Sequence, residues 1–359
     1  MIDSFWIKSF RCLKENQFSF DQSRFISIIE KNNVGKTSLL EACYILGHLN
    51  SFVTQKLGQV VMHGDSASFI GVKIIHQDQP LNYYLKVDQD GKKYITLNGQ
   101  VVRKKTEIQS ILRVNYISSD SLFYISSQPS YRRNRLDQSI SQFSYTYRKN
   151  LATYKRLIAQ KNQLLKQFGD DSLISNINQL LVPLIKLLNA ERTKYLTDIQ
   201  KIMAKYLKGS PYIDGDVDII FNSKVQFGAS EDEILKELSN SLSREKIVKS
   251  SIFGVHRDDY TFSINDRNVK LFYSRGICRI VSYFFQLAES TFLQQSMGLP
   301  MLLLLDEPFS EIHPDLKERL IQSIPKDMYK IYTSTQVDEL MFLKHSKSYG
   351  ITDGVLCSH

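Results

Sequence analysis

Apolar and polar positions follow two different periods along the chain. Residues 1–30 carry apolar side chains at alternate positions, which predicts two or three strands. Residues 68–102 alternate in the same way and contain the turn pair Asn98-Gly99, which predicts a β-meander. From 131 to 208 the period becomes helical. We therefore expect a block of helices inserted between two strand-containing halves.

The helical block contains three stretches, and mixed structure follows it. Its apolar positions are Tyr154, Leu157, Ile158, Leu165 and Phe168, then Ile177, Leu180, Leu181, Leu184, Ile185 and Leu188, then Ile199, Ile202, Met203 and Tyr206. We expect them to form helix cores. A strand is predicted at 217–221 and a polar helix at 230–247, after which strands and helices alternate again.

One strand-to-helix turn has the form of a phosphate-binding loop. The apolar run 25–29 precedes Gly35-Lys36-Thr37, and a helical pattern follows at 38–49. In a P-loop, backbone N–H groups wrap the phosphates, while Lys36 would reach the β- and γ-phosphates and the Thr37 hydroxyl would bind Mg²⁺. An ordinary strand-to-helix turn is the alternative. The residues assigned to the loop are Glu30, Lys31, Asn32, Asn33, Val34, Gly35, Lys36, Thr37 and Ser38.

A second apolar run has the form of a Walker B strand. Residues 301–305 are apolar, and Asp306 and Glu307 follow directly. Asp306 would hold Mg²⁺ through its water shell, and Glu307 would polarise the attacking water. The alternative is a core strand that ends in a solvated turn. A P-loop candidate upstream in the same chain favours the nucleotide site.

Ser274 and Gly276 form a Ser-x-Gly sequence at the start of the apolar helix 280–293. A helix N-terminus attracts anions, and in ABC-type ATPases such a signature caps the γ-phosphate held by the opposite subunit. Most Ser-x-Gly sequences are ordinary helix caps, which is the alternative here. Its position before the Walker B strand favours the signature.

Composition points to a folded cytoplasmic protein. Hydrophobic residues make up 42% of the chain, and the four cysteines show no metal-ligand spacing. We expect reduced, structural thiols. We also expect no membrane-spanning run and no signal peptide, because the N-terminus lacks a basic start followed by an apolar stretch.

The formal net charge of +9 suggests a polyanionic partner, and one segment concentrates that charge. Residues 132–161 hold eight Lys or Arg and one acid, Asp137, so 8 − 1 = +7. We predict a DNA-binding surface there, with a solvated helix face as the alternative. Arg132 and Arg133 are set apart because they could hold the lobes together. The DNA-binding candidates are Lys149, Lys155, Arg156 and Lys161.

Taken in order, these segments resemble the RecF family of bacterial DNA replication and repair ATPases, which are related to the heads of SMC proteins. Asn32-Asn33-Val34-Gly35-Lys36-Thr37 resembles the family's P-loop, and Phe10-Arg11 its early Phe-Arg. Residues 129–137 are similar to Pro-x-x-Arg-Arg-x-Phe-Leu-Asp, and 254–259 to Gly-Pro-His-Arg-Asp-Asp. Residues 51–54, 97–99 and 154–166 also resemble family segments. The resemblance covers nearly the whole chain.

The resemblance implies an α/β fold, an ABC-type (P-loop) ATPase head with an inserted α-helical second lobe. The head would comprise residues 1–115 and 250–359, and the helical lobe residues 116–249. It further implies that the protein binds ATP and Mg²⁺, forms a head-to-tail homodimer around two nucleotides and clamps double-stranded or gapped DNA. RecR and RecO would be partners in loading RecA, with slow ATP hydrolysis as a release switch.

The chain departs from the family pattern at positions that belong to the ATP cycle. Glu30 replaces the first P-loop glycine, Ile277 and Cys278 replace two polar residues after the signature glycine, and His313 replaces an aspartate. A non-hydrolysing DNA clamp therefore stays open as an alternative, as does another SMC-like ATPase. The nuclease variant of the latter would need an acidic nuclease domain for which this chain has no space.

Overall fold

The computed structural model describes residues 1–359 except 77, 103–110, 168, 209–212, 311, 344 and 359. Two compact units make up the chain: unit 1 is Met1–Leu122 with Leu293–His359, and unit 2 is Phe123–Phe292. The sequence placed boundaries at 115/116 and 249/250. Residues 250–292, expected in the ATPase lobe, thus belong to the compact unit that holds the helical block. The functional assignment of each lobe stays a prediction.

The described strands follow the predicted alternation of the chain. Their bounds are β1 (Ile2–Phe10), β2 (Leu13–Ser19), β3 (Phe25–Ile29), β4 (Ala67–His76), β5 (Gln79–Asp88), β6 (Lys93–Leu97), β7 (Gln100–Val101), β8 (Arg113–Ser118), β9 (Val217–Asn222), β10 (Asp259–Ile264), β11 (Arg267–Asn268), β12 (Met301–Asp306), β13 (Tyr329–Ser334), β14 (Lys347–Thr352) and β15 (Val355–Ser358). The meander over 68–102 and the strand over 217–221 are confirmed.

The described helices confirm the predicted helical block and the helices at its borders, and Phe168, also assigned to that block, lies outside the described residues. Their bounds are α1 (Lys36–His48), α2 (Pro129–Phe143), α3 (Tyr145–Lys166), α4 (Asp171–Leu207), α5 (Glu231–Val248), α6 (Val269–Phe272), α7 (Arg275–Met297) and α8 (Pro314–Gln322). Short 3₁₀ turns occupy Leu57–Val60, Asp120–Ser126, Val255–Arg257 and Val337–Met341. Local sequence sets the start of α5, where Ser230 and Glu233 form a capping box.

Unit 1 contains a mostly parallel sheet in the order β15-β14-β3-β13-β12-β8. Strands β14, β3, β13, β12 and β8 pair in parallel, and β15 is antiparallel to β14. Every residue of β3 and β13 is buried. Continuous apolar sequence is what a parallel strand needs, because both of its faces are covered.

The second sheet of unit 1 is antiparallel, in the order β2-β1-β4-β5-β6-β7. Asn98 and Gly99 both have positive φ in the turn between β6 and β7, as a tight hairpin requires. Helix α1 contacts strands of both sheets. One cluster of buried residues from α1 and the two sheets forms the core of the unit, and this core fixes the start of α1.

Unit 2 contains α2 to α6, most of α7 and the antiparallel sheet β11-β10-β9. By length and composition, α4 could cross a membrane, so the expectation that no run could do so does not hold for this helix. A core helix of a soluble protein meets the same criterion. The buried face of α4 carries Asn178, Asn189 and Arg192, whose polar groups lie inside unit 2.

Arg192 is the centre of a buried charge network in unit 2. Its guanidinium donates to Asp258 (2.7 Å), to Asp137 (2.6 Å) and to the Tyr147 hydroxyl (2.9 Å), and its side chain is 2% exposed. A buried charge is tolerated only when it is paired and hydrogen-bonded. The network joins α2, α3, α4 and the segment before β10. The Arg-Arg and His-Arg-Asp-Asp motifs therefore meet in the interior of this unit.

His256 lies beside this network, and its hydrogen-bond partners favour a neutral imidazole. The Tyr154 hydroxyl lies 2.6 Å from Nδ1, and Nε2 lies 3.0 Å from the carbonyl oxygen of Ser251. This geometry fits a neutral imidazole that accepts at Nδ1 and donates at Nε2. Burial lowers the pKa of His256 from 6.5 to about 4, and the positive charge of Arg257 adds to the effect.

We predict that acidification between pH 6.5 and 4 destabilises the fold through His256. In this window the unfolded chain binds a proton at His256 that the folded chain excludes. The contribution of His256 to the free energy of unfolding therefore rises with pH up to 6.5 and is constant above it. The full effect is about 3 kcal/mol. Chemical unfolding at several pH values should show a shallower slope in His256→Gln. The exposed His63→Gln is the matched control, and equal slopes in both variants would contradict the assignment.

Candidate functional site

Two segments of unit 1 meet at the carboxyl edge of the parallel sheet. The segment after β3 leads into α1, and Asp306 and Glu307 follow β12. Strand β13 lies between β3 and β12, and Asp306 is in register with Thr333. Carboxyl ends of parallel strands share one edge, which is the usual position of ligand sites in α/β sheets. The topology therefore brings together segments that lie 270 residues apart in sequence.

The backbone of the loop before α1 requires glycine at position 35. Gly35 has φ +113°, and a Cβ there would lie 2.8 Å from the Cys12 sulfur. Asn33 also has positive φ, at 65°, a conformation that asparagine tolerates better than most residues. The loop turns sharply into the N-terminus of α1, where no side chain caps the helix. A helix N-terminus of this kind attracts anions.

Lys36 lies inside this loop and is 5% exposed. Its ammonium donates to the carbonyl oxygens of Glu30 (2.6 Å) and Lys31 (3.1 Å), and it lies 3.1 Å from Glu307 Oε1. The carbonyl groups fix the position of the ammonium, and Glu307 balances its charge. A cation held in this way can neutralise phosphate at close range.

The Asp306 carboxylate accepts hydrogen bonds from hydroxyl groups of three elements. It accepts from Thr37 (3.0 Å), Tyr116 (2.9 Å) and Thr333 (2.9 Å). Burial and the negative charge of Asp306 raise the pKa of Tyr116, so the phenol stays protonated and donates. The Thr37 hydroxyl and the Asp306 carboxylate are oxygen ligands of the kind Mg²⁺ prefers, and their separation lets both reach one ion. The residues present therefore fit a magnesium site.

Tyr116 and Thr333 were not assigned to the site from sequence. Both belong to strands that flank β12, and only the strand order of the sheet places them beside Asp306. Tyr116 also stacks on Phe52, with ring centroids 3.9 Å apart, and this contact fixes the phenol. Thr333 directly follows the apolar pair Ile331-Tyr332, and a hydroxyl at the end of an apolar run is the signal in the sequence that could have singled it out.

Glu307 has left-handed backbone geometry, with φ 44°, and its N–H donates to the carbonyl oxygen of Thr333 at 3.2 Å. A non-glycine residue in this region costs free energy and recurs at functional sites. The turn aims the carboxylate at Lys36, and the side chain is 27% exposed. Solvent can therefore reach the carboxylate.

Glu30 occupies the first loop position, where its carboxylate accepts the backbone N–H of Lys31 at 3.1 Å. Its own N–H donates to the carbonyl oxygen of Ser334 in β13. The glutamate is thus part of the local turn, and it places a negative charge at the entrance to the loop. Like charge near a phosphate is repulsive.

An ion pair between the half-buried Arg11 and the buried Glu41 holds α1 against the turn between β1 and β2. The Arg11 guanidinium donates twice to the carboxylate, with Nη2 2.8 Å from Oε1. The Ser51 hydroxyl donates to the same carboxylate, which is fully buried. Two segments of the family resemblance, 10–11 and 51–54, therefore meet at Glu41. The sequence did not reveal this meeting point.

Ser274 and Gly276 lie at the start of α7, in unit 2. The Ser274 hydroxyl accepts the N–H of Ile277 at 3.4 Å, so it caps the start of the helix. Both residues are exposed, and a Cβ on Gly276 would meet only the Ser274 hydroxyl within 4 Å. The helix start is therefore open to solvent in this chain.

The predicted basic surface is smaller than expected. Lys149, Lys155 and Arg156 are exposed on α3, where Lys155 also lies 3.5 Å from Asp137. Lys161 is fully buried, and its ammonium lies 2.7 Å from Glu245. Its assignment to a DNA-binding surface is therefore corrected. Its long apolar stem follows the core side of α3, and the ion pair offsets the cost of burying the charge.

Other cations of the basic segment also point inward. Arg132 makes a two-pronged ion pair with both oxygens of Asp259, at 2.8 and 2.7 Å, and Arg135 donates twice to one oxygen of the buried Glu289, at 3.0 and 2.7 Å. Setting Arg132 apart from the DNA surface agrees with this contact. The net charge of the segment thus overstates the charge that the described surface presents to a partner.

Comparisons with known proteins agree with the sequence resemblance. No family model matches the chain. The DNA replication and repair protein RecF of Symbiobacterium thermophilum is 29% identical over 318 residues, which cover 86% of this chain and 85% of that protein. The RecF protein of Macrococcus caseolyticus is 27% identical over 356 residues, covering 96% of this chain and 95% of that protein.

Solved structures show the fold. The recombination mediator protein RecF-ATPrS in the RecFOR pathway superposes with a TM-score of 0.85 at 23% identity, covering 100% of this chain and 98% of that chain. An SMC head bound to the C-winged helix domain of ScpA superposes with a TM-score of 0.60 at 15% identity, covering 100% of this chain and 96% of that chain. The predicted α/β fold of an ABC-type ATPase head with a helical second lobe is confirmed. The chain is a homologue of the RecF proteins over most of its length.

Proposed function

We propose that this protein is an ATP-dependent DNA-binding protein of RecF type. The observation that carries the proposal is the convergence of Lys36, Thr37, Asp306 and Glu307 at the carboxyl edge of one sheet. Two relatives are named DNA replication and repair protein RecF, and two solved neighbours are named RecF-ATP and RecF-ATPrS. Both lines of support favour a nucleotide-dependent role in DNA replication and repair.

In the proposed site each residue has a separate task. The backbone N–H groups of the loop and the Lys36 ammonium bind the phosphates, and Thr37 and Asp306 hold Mg²⁺. Bound Mg²⁺ would offset the charge of the phosphate oxygens. Glu307 orients water beside the γ-phosphate. Because Lys36 contacts Glu307 directly, a phosphate that binds Lys36 would compete with this carboxylate for the ammonium.

The proposed working form is a cytoplasmic homodimer. ATP would bridge the loop of one protomer and the exposed Ser274 and Gly276 of the other. The dimer would bind double-stranded or gapped DNA and act with RecR and RecO in loading RecA. The sequence resemblance and the names of the relatives support these parts of the proposal.

A second candidate function is a DNA clamp that binds ATP without hydrolysing it. Glu30 places a negative charge at the entrance to the loop, and Ile277 is an apolar residue directly after the signature glycine. Both features affect the ATP cycle and leave the basic face of α3 unchanged. Phosphate release with and without duplex DNA separates the two functions.

We expect Lys36→Ala to abolish ATP binding, because the loop then lacks the cation that neutralises the phosphates. Titration with a fluorescent ATP analogue would measure the change, which should exceed about a hundredfold, or about 3 kcal/mol. Lys92→Ala removes an exposed lysine elsewhere in unit 1 and should bind like the parent. Unchanged affinity in Lys36→Ala would contradict the assignment of this site.

We expect Glu307→Gln to retain ATP and to hold the dimer closed, because the amide cannot polarise water as the carboxylate does. Light scattering with ATP and with ADP would follow dimerisation, and phosphate release would follow turnover. Turnover at the parent rate in the variant would contradict the role of Glu307. A parent without turnover would support the non-hydrolysing clamp.

We expect the triple variant Lys149→Ala, Lys155→Ala and Arg156→Ala to bind all DNA sequences more weakly. Three lost phosphate contacts would flatten the slope of log affinity against log salt by up to about 3. The matched control removes the same charge from α4 through Lys194→Ala, Lys201→Ala and Lys205→Ala, whose side chains are also exposed. Equal slopes in both triple variants would remove the α3 face from the DNA site.

A further inference from the structure

Two arginines of unit 2, Arg133 and Arg257, donate only to main-chain carbonyl groups in the described part of the chain. Arg133 is half-buried and donates to the carbonyl oxygen of Asp258 at 2.9 Å. Arg257 is exposed and donates twice to the carbonyl oxygen of Ser251, at 3.1 and 2.6 Å. We call these two residues the arginine pair. They come from the Arg-Arg and His-Arg-Asp-Asp motifs, and the buried network around Arg192 uses neither of them.

Both guanidiniums retain N–H donors for a ligand. A guanidinium has five N–H groups in a planar fork. Toward the described residues Arg133 uses one of them, which leaves 5 − 1 = 4, and Arg257 uses two, which leaves 5 − 2 = 3. The geometry of the fork matches the paired oxygens of a phosphate group.

Buried contacts hold the carbonyl groups to which the arginine pair donates. Asp258 is buried, and its carboxylate accepts from Arg192 and from the Ser223 hydroxyl, both at 2.7 Å. Ser251 is also buried, and its N–H donates to the side chain of Asn162 in α3 at 2.7 Å. The arginine pair is therefore anchored to a fixed backbone, so less conformational entropy is lost when a ligand binds.

Positive charge exceeds negative charge around these anchors. The cations are Arg132, Arg133, Arg192, Arg257 and Lys155, and the acids are Asp137, Asp258 and Asp259, so 5 − 3 = +2. The neighbouring ion pair of Lys161 with Glu245 adds no net charge. Burial lowers the pKa of Arg133, and the positive charges of Arg192 and Arg257 lower it further, although Asp259 opposes them. A bound anion would offset this repulsion.

The arginine pair adjoins the proposed DNA-binding face of α3. Arg133 precedes Asp137 by four residues on α2, so both lie on one side of that helix. Lys155, a member of the α3 face, lies 3.5 Å from Asp137. The Tyr154 hydroxyl lies 2.6 Å from His256, the residue directly before the second arginine of the pair. The basic face of α3 therefore continues onto both arginines.

We propose that the arginine pair, together with Lys155, forms a phosphate-binding site for the backbone of DNA. Guanidinium forks that are fixed in position hold phosphates in one place on the protein and carry no base specificity. The inference rests on the proposed function, because it assigns part of the proposed DNA contact to residues outside α3. ATP binding uses the loop of unit 1 and should stay unchanged when the arginine pair is replaced.

Salt-dependent binding of a short DNA duplex tests the arginine pair. The double variant Arg133→Gln, Arg257→Gln should flatten the slope of log affinity against log salt by up to about 2 and weaken binding by at least about tenfold. Arg133→Lys, Arg257→Lys keeps both charges, so it should keep the parent slope while its affinity falls with the loss of the forks. The matched control Lys236→Gln, Arg244→Gln removes two exposed cations of α5 and should bind like the parent.

Circular dichroism and chemical unfolding check that the variants fold. If the double glutamine variant does not fold, Arg257→Gln replaces it, because this arginine is exposed, and the slope should then flatten by up to about 1. A glutamine variant with the parent slope would overturn the proposal. A lysine variant that loses as much slope as the glutamine variant would also overturn it, because it would show that the arginines serve the fold alone.

The triple variant of the α3 face separates this inference from the proposed function. If the triple variant flattens the slope and the glutamine variant does not, the inference alone fails. The reverse result would support the arginine pair and remove the α3 face from the DNA site. A parent that binds no DNA would overturn both. Inorganic phosphate at the ionic strength of a chloride control would then identify a free anion as the ligand, if it stabilised the parent and not the glutamine variant against unfolding.

Discussion

Parallel pairing of β3, β13, β12 and β8 is the constraint on which the candidate site depends. It places the start of α1 and the end of β12 at one edge of a sheet, although they are far apart in sequence. Thr37 can then donate to Asp306, and Lys36 can contact Glu307. A shift of β12 by one residue would point Asp306 to the other face of the sheet and separate the groups. The continuous apolar sequence of these strands fixes the sheet, so the core of unit 1 also fixes the site.

The site is held by polar contacts that a bound phosphate would rearrange. Lys36 is balanced by Glu307 and by two carbonyl groups, and Asp306 is surrounded by hydroxyl donors. Each charged group is thus satisfied before any ligand arrives, as buried charges require. A nucleotide would gain contact with Lys36 at the cost of the Glu307 contact. This exchange would link phosphate binding to the position of the carboxylate proposed to orient water.

Buried charge has a different role in unit 2. Arg192 joins Asp137 and Asp258, Arg132 joins Asp259, and Lys161 joins Glu245. The pairs with Asp258 and Asp259 connect helices to the segment around β10, and the pairs with Asp137 and Glu245 connect one helix to another. Removing one member would leave its partner as an unpaired charge in the interior. The free-energy cost of that charge is larger than the stabilisation that the pair itself contributes. Charges that composition attributes to a polyanionic partner therefore include several that maintain the fold.

The sequence by itself determined the elements and the chemistry of the site. Strand alternation, the change to helical period, Gly35-Lys36-Thr37 and Asp306-Glu307 are local patterns, and local sequence carries the strand, helix and turn preferences that produce them. Only the tertiary structure decided which groups meet. Tyr116 reaches Asp306 through strand order, Glu41 meets Arg11 and Ser51 through packing, and Lys161 faces the core. On α4, Leu180 is exposed and Leu181 is buried, although both belong to one apolar pattern along the chain. Periodicity shows that a face is apolar, and contacts from distant segments decide which face is covered.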